Sequence, residues 1–287
     1  MIDIIIPVDY ARSSFQLLKN IYSISQIKDD DINLLFAINT RGKFLVKFLT
    51  ELVIGDRGKV IYENYSGKVN RSKLRNKALE HSTSEFVFLC DVDLVLGQDL
   101  LNKIKKEIKK TDFLMVPCLY RRKKFKNIDL KTSTLNKIRK NYSHIAIPSS
   151  VIAYKKNSIR FDENFIGHGY EDFDFIIRLL KSINRIHITE EYLIDSTYEM
   201  AILAQGFREK LGRFCIESLT KEIIIEHRYH KRGNTSEYRD ERQRNAKIFH
   251  KKVATQIEKS INNKKNNDKL IIDKNFLSKF PGNLMLI

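Results

Sequence analysis

Phe86-Val87-Phe88-Leu89-Cys90 runs straight into Asp91-Val92-Asp93. Five apolar residues without a polar break do not suit a half-wetted sheet face. They suit a strand buried on both faces, as in the middle of a parallel α/β sheet. In such sheets ligands sit beyond the carboxyl ends of the strands, so two carboxylates one residue apart are delivered to the place where chemistry is expected. Their hard oxygens suit Mg²⁺ or Mn²⁺. Asp-x-Asp pairs are common in turns, and it is the wholly apolar strand before this one that gives it weight.

Working outward, residues 2–8 form a β-branched run that reaches Pro7 and Val8 and ends at the polar Asp9, which predicts a buried strand leading into a loop. Phe15, Leu18, Ile21 and Tyr22 recur at helical spacing. Residues 32–38 read as a second strand, 60–62 as a short third, and 72–81 as a helix. Alternation of this kind predicts an α/β, mostly parallel sheet flanked by helices. Downstream, 113–120 and 145–154 read as strands and 170–183 as a helix. From 246 the character changes to a Phe249, Val253, Ile257 stripe, an Asn/Lys linker over 262–269, and an apolar end from Phe276 to Ile287.

The chain has 287 residues, 42% hydrophobic and 30% charged, with 52 Lys+Arg against 35 Asp+Glu and a formal charge of +17. That composition excludes a disordered chain, and the length suits one large domain or two intimate halves. No apolar stretch approaches a membrane span, so the cytoplasm is the expected location. Cys90, Cys118 and Cys215 are odd in number, far apart and set among apolar neighbours; they read as buried thiols. The positive surplus implies an anionic partner. It gathers over 121–140 and in the tail from 246, where solvated faces and binding surfaces are equally compatible with the pattern.

Three further constellations carry chemistry. Residues 161–174 set Gly167-His168-Gly169 ahead of Tyr170, Glu171 and Asp172. The glycines permit an unusual backbone path, and carboxylates in a first helical turn meet the positive end of the helix dipole. Simple capping explains such a pair; a carboxylate beside a Gly-flanked cleft also serves as a base for a substrate hydroxyl. His227 and His230 are three apart and can face one side of a turn, as two imidazole ligands would. Asn70-Arg71-Ser72-Lys73-Leu74-Arg75-Asn76 puts basic side chains just before the Asp-x-Asp strand, a way to hold a diphosphate and equally an ordinary basic helix face.

In this order the segments resemble a GT-A glycosyltransferase, of the kind shared by bacterial family-2 enzymes, chondroitin-polymerase-type transferases and family-7 β-1,4-galactosyltransferases. The resemblance covers residues 2 to about 245. It implies a Rossmann-like sheet with a helical C-terminal extension, divided into a nucleotide-sugar-binding half over 1–105, an acceptor-binding half over 106–245 and a basic amphipathic tail over 246–287. It also implies that Pro7, Val8 and Asp9 touch the nucleotide base and ribose, with Arg71 and Arg75 near the diphosphate and Asp91 and Val92 beside them. Asp93 and His230 become metal ligands, with His227 a third. Asp172 matches the catalytic base, and Glu171, His168 and Tyr170 the acceptor side, His168 standing where the family usually has tryptophan.

The expected activity is therefore an inverting, Mn²⁺- or Mg²⁺-dependent transfer from a UDP-sugar to an oligosaccharide or lipid-linked glycan in bacterial capsule or lipopolysaccharide synthesis. The chemistry agrees: a cation stabilises the leaving diphosphate, and one base with one displacement inverts the anomeric centre. A retaining GT-A enzyme shares the Asp-x-Asp and the late histidine but needs no base at Asp172. A basic nucleic-acid binder is the non-enzymatic alternative; without interleaved aromatics or a helix-turn-helix or zinc signature, no nucleic-acid partner is expected. Two placements of the basic tail stand open: on an anionic membrane surface at the inner face of the cell membrane, or packed on the catalytic domain.

Overall fold

The computed structural model describes residues 1–11, 14–122, 141–196, 203–230 and 235–265. The basic run over 123–140 and the apolar end over 266–287 lie outside the described residues. A six-stranded sheet forms the centre in the order β3-β2-β1-β4-β9-β6. Its strands are β1 (Ile2–Asp9), β2 (Ile32–Asn39), β3 (Lys59–Tyr62), β4 (Phe86–Leu89), β6 (Phe113–Met115) and β9 (Ile152–Lys155). β1 lies parallel to both β2 and β4, β2 lies parallel to β3, and β9 runs antiparallel to β4 and β6. The α/β, mostly parallel arrangement expected from the sequence is what forms.

Side-chain alternation along β1 divides the interior in two. Ile4, Ile6 and Val8 join an apolar layer with Ile21 and Ile24 of α1 (Ser14–Ser25), Val46 and Ile54 of α2 (Phe44–Ile54) and Ile104 and Ile108 of α4 (Gln98–Thr111). Ile5 faces the other way. It packs in a second layer with Leu74 and Ala78 of α3 (Arg71–His81), Phe175 and Leu179 of α5 (Glu171–Ser182) and Phe207 and Leu211 of α6 (Phe207–Thr220). Phe249, Val253 and Ile257 of α7 (Thr235–Lys265) complete that second layer. Asp3, among these apolar residues, accepts hydrogen bonds from Thr83 N, Ser84 N and Oγ and Asn33 Nδ2, which tie the turn before β4 to β1.

Several elements differ from the sequence reading. Residues 113–120 form two strands, because Pro117 interrupts the run: β6 stays in the main sheet and β7 (Cys118–Arg121) enters a second one. Residues 145–154 divide likewise at a cis Ile147-Pro148 bond, giving β8 (Tyr142–Ala146) and β9. The second sheet has the order β5-β12-β7-β8, with β5 at Leu94–Val95 and β12 at Ile225–His227. A small antiparallel pair joins β10 (Asp195–Ser196) to β11 (Gln205–Gly206). α7 is one continuous helix across residue 246, and its backbone stays helical over 262–265, where a linker was expected. Among the described residues no helix is long and apolar enough to cross a membrane.

Candidate active site

β5 begins one residue after Asp93 and pairs antiparallel with β12, setting His227 opposite Leu94. Arg228 N also donates to Asp93 O at 2.8 Å. Strand pairing is thus what carries the late histidines to the Asp-x-Asp turn. Asp93 Oδ2 lies 3.2 Å from His227 Nε2 and 3.0 Å from His230 Nε2, and the three ligand atoms all fall within 4.8 Å of one another. Burial opposes charge on Asp93, but the hydrogen bonds from His227 and His230 outweigh it and hold the carboxyl far below its ordinary range. Burial likewise opposes charge on His227, and the bond to Asp93 overcomes it and raises that imidazole's pKa. Asp93 Oδ1 is buried with no hydrogen-bond partner. A buried carboxylate oxygen left open beside two imidazoles fits a divalent cation, which would give that atom its missing partner. Tyr120 stacks on His227 with ring centroids 4.4 Å apart, fixing the plane of the imidazole.

The second group of carboxylates is positioned by α3. Asn70 caps this helix, accepting from Lys73 N at 3.1 Å, and its amide donates to Glu163 O at 2.9 Å. Asn76, buried in mid-helix, accepts from Phe161 N and donates to Phe161 O and Glu163 Oε1. Gly167 N donates to Val69 O at 2.7 Å. The 161–169 loop is thereby pinned to α3. Gly167 has φ +84°, a left-handed backbone that favours glycine, and packs directly against the Glu241 carboxylate. On the far side, the side-chain amide of Asn245 donates to Ile166 O and His168 O, so α7 clamps the loop from behind.

The loop ends by delivering Glu171 and Asp172 to the first turn of α5. Arg75 lies between the two acidic groups, reaching Asp172 Oδ1 at 2.5 Å and Asp91 Oδ1 at 3.1 Å. Burial pushes the Asp172 carboxyl up to about 7, against the pull of Arg75 and with help from Glu171. Arg71 lies 3.4 Å from Glu171 Oε1 and 3.0 Å from His168 Nδ1. Both groups open on one cavity of about 1050 Å³, whose walls include Asp91, Asp93, His227 and His230 together with His168, Glu171 and Asp172. A chamber of about 60 Å³ adjoins Pro7, Asp9, Leu17, Arg71, Val92 and Asp93.

A family model described as "Glycosyltransferase like family 2" matches residues 3–254. The chain belongs to this family. Its fold is of the GT-A type. No curated protein matches it. Among solved structures it is similar to Staphylococcus aureus TarS 1-349, with 15% identity, a TM-score of 0.43, and coverage of 62% of this chain and 54% of that one. It is also similar to the mannosyltransferase PcManGT from Pyrobaculum calidifontis, solved with GDP-Man and Mn²⁺, at 11% identity, TM-score 0.41, and 62% and 51% coverage. A mycobacterial protein is similar at 11% identity, TM-score 0.42, and 83% and 70% coverage. The chain thus spans about half the length of the TarS structure it matches.

Of the residues singled out in the sequence, the structure gathers Asp93, His227, His230, Asp91, Arg71, His168, Glu171 and Asp172 around the main cavity, and Pro7 and Val92 around the small one. Three do not reach either space. Val8 points into the apolar layer beneath α1 and α2. Tyr170 is buried in the aromatic core, its hydroxyl 2.5 Å from Asp195 Oδ2. Arg75 is buried behind the carboxylates it bridges and holds them in place. Asp9 lines the small chamber, but Ala11 N, Arg41 and Tyr65 Oη occupy both its oxygens. Lys68, Arg41, Tyr120, Arg228 and Tyr238 also line the main cavity. Arg228 lies within the His227–His230 segment, while the other four belong to no motif; Tyr120 is placed by the pairing of β7 with β12 and β8, opposite His227 and His144.

Proposed function

We propose that the protein is an inverting, cation-dependent transferase that moves a sugar from a UDP-sugar to a hydroxyl of a glycan acceptor in bacterial surface polysaccharide synthesis. The observation that carries this reading is that the half-buried Asp93, His227, His230 cluster and the Asp172 carboxylate face the same cavity. A bound divalent ion, Mn²⁺ or Mg²⁺, supplies positive charge to the departing diphosphate. Two imidazoles beside one carboxylate favour Mn²⁺ of the pair. Arg71 and Lys68 add fixed positive charge to the same walls, where it acts on phosphate oxygens at short range. The small chamber, with Pro7, Leu17 and Leu74 on its walls, presents a part-apolar surface suited to a flat base.

Asp172 takes the proton of the incoming hydroxyl as the new bond to the anomeric carbon forms and the bond to the diphosphate breaks. Its raised pKa gives it basicity near neutrality. Glu171 Oε2 is buried without a partner, so a hydroxyl of the acceptor donating to it relieves an unpaired oxygen and orients the attack. One displacement with one base inverts the anomeric configuration. Asp172→Asn is expected to abolish transfer while retaining UDP-sugar binding in a thermal-shift titration, and normal turnover by this variant would remove the base from the account. Proton NMR of the first-formed product reads the configuration directly, and retention there rules out the single displacement.

A further inference from the structure

α1 and α2 carry a large apolar surface that none of the described residues covers. Phe44 is 82% exposed, Phe15 79%, Leu52 68% and Leu45 66%, with Phe48 and Tyr22 more than half exposed. On α2, Phe44, Phe48 and Leu52 follow each other at i, i+4 and i+8, with Leu45 beside them, so they form one continuous face. This is a second face, since Val46, Thr50 and Ile54 already bury the side toward the sheet. Single exposed apolar residues are ordinary; a contiguous set on adjacent helices marks an interaction surface.

The two helices run side by side in the same direction. Lys43 Nζ donates to Tyr10 O at 3.0 Å where both begin, and Ser25 Oγ reaches Val53 O at 3.3 Å where both end. Phe15 and Phe44 therefore lie at the end from which the catalytic cavity opens, and Ala11 and Arg41, just ahead of the helices, line that cavity. The same surface is basic. Lys19, Lys43 and Lys47 are exposed on it, and Glu51, the one acidic residue of the two helices, accepts a hydrogen bond from Tyr62 Oη at 2.8 Å.

The geometry points to this face as a membrane-docking surface for an anionic bilayer, which seats the apolar side chains among the acyl chains and the lysines among acidic headgroups, with the cavity mouth held at the lipid surface. Charge argues against a second copy as the occupant, and position against the chain's own C-terminal segment. A second copy would set lysine against lysine. The chain's own segment over 266–287 has three lysines against two aspartates, and the helix that leads to it packs on the opposite face of the sheet. Docking of this kind is read without any sugar, so its failure and the failure of the proposed reaction are separable.

The test is flotation of the full chain with phosphatidylcholine vesicles with and without phosphatidylglycerol. Binding is expected only to the anionic vesicles, falling with added salt. Phe44→Gln, Phe48→Gln and Leu52→Gln together should weaken it at least tenfold. Lys19→Gln with Lys47→Gln should weaken it by about fivefold per lysine. All five side chains are exposed, so circular dichroism and transfer to a soluble acceptor should stay as in the parent. Phe276→Ser with Phe280→Ser should bind as the parent does. Unchanged flotation of the α2 variant, or loss that follows the 276 and 280 substitutions instead, overturns the assignment. So does a concentration-dependent dimer, by light scattering, that the α2 variant dissolves.

Discussion

Arg75→Gln offers a test of the base that does not touch the base itself. Burial raises the Asp172 carboxyl to about 7, and Arg75, 2.5 Å away, is the main influence pulling it down. A base works deprotonated, so activity of the parent should climb with pH through about 7. Removing an adjacent positive charge raises a carboxyl pKa by about one unit or more. With a shift from about 7 to about 8, the deprotonated fraction at pH 7 falls from about one half to about one in eleven, roughly a fivefold loss of kcat/KM. At pH 9 both forms are mostly deprotonated, and the gap should close to within about twofold. The assay is kcat/KM from pH 5.5 to 9 at saturating cation, with thermal melting to confirm folding. A curve that drops equally at every pH, its rising limb unmoved, would refute the argument, because Arg75 would then be holding shape and not tuning the base.

Other consequences are open to measurement. His227→Ala or Asp93→Asn should weaken Mn²⁺ binding at least tenfold by calorimetry, and full affinity in both would detach the cluster from the cation. Burial disfavours charge on Asp3, but its bonds to Ser84 and Asn33 more than offset this and lower its pKa below 3.8; its stabilising contribution should be complete above that value and fade as acid brings the pH through the lowered one. Asp3→Ala should cost about 3 kcal/mol in urea unfolding at pH 7, a loss that shrinks at low pH. Phe249→Ala should cost about 3–5 kcal/mol, and a surface-like cost below 0.5 kcal/mol would show that α7 is no part of the core.

The features legible in the sequence share a local cause. The strand over 86–90 is uniformly apolar and buried, so its end could be located and the Asp-x-Asp turn with it. The helix over 171–182 announces itself through glycines and carboxylates. What escaped reading depends on partners far away. Val8 follows the same alternation as Ile4 and Ile6, and only the packing of α1 and α2 shows that its side chain faces inward. Arg75 looks like any basic helix residue until α5 brings Asp172 to it. Pro117 and Pro148 split two apolar runs between different sheets. α2 is apolar on nearly every side, so no helical period stands out in it, and α4 is likewise absent from the sequence reading although Leu101, Ile104 and Ile108 recur at helical spacing. The boundary at 246 came from a change in composition, and the helix passes through it.

The pairing of β5 with β12 has a consequence for the newly made chain. The first three parallel strands can associate once β2 and β3 have followed β1, long before residue 225 has been synthesised. The imidazoles arrive only after most of the polypeptide exists. A ribosome-bound intermediate thus owns an aspartate turn but no ion-binding cluster, and the ability to bind manganese tightly would report that the late strand has found its place.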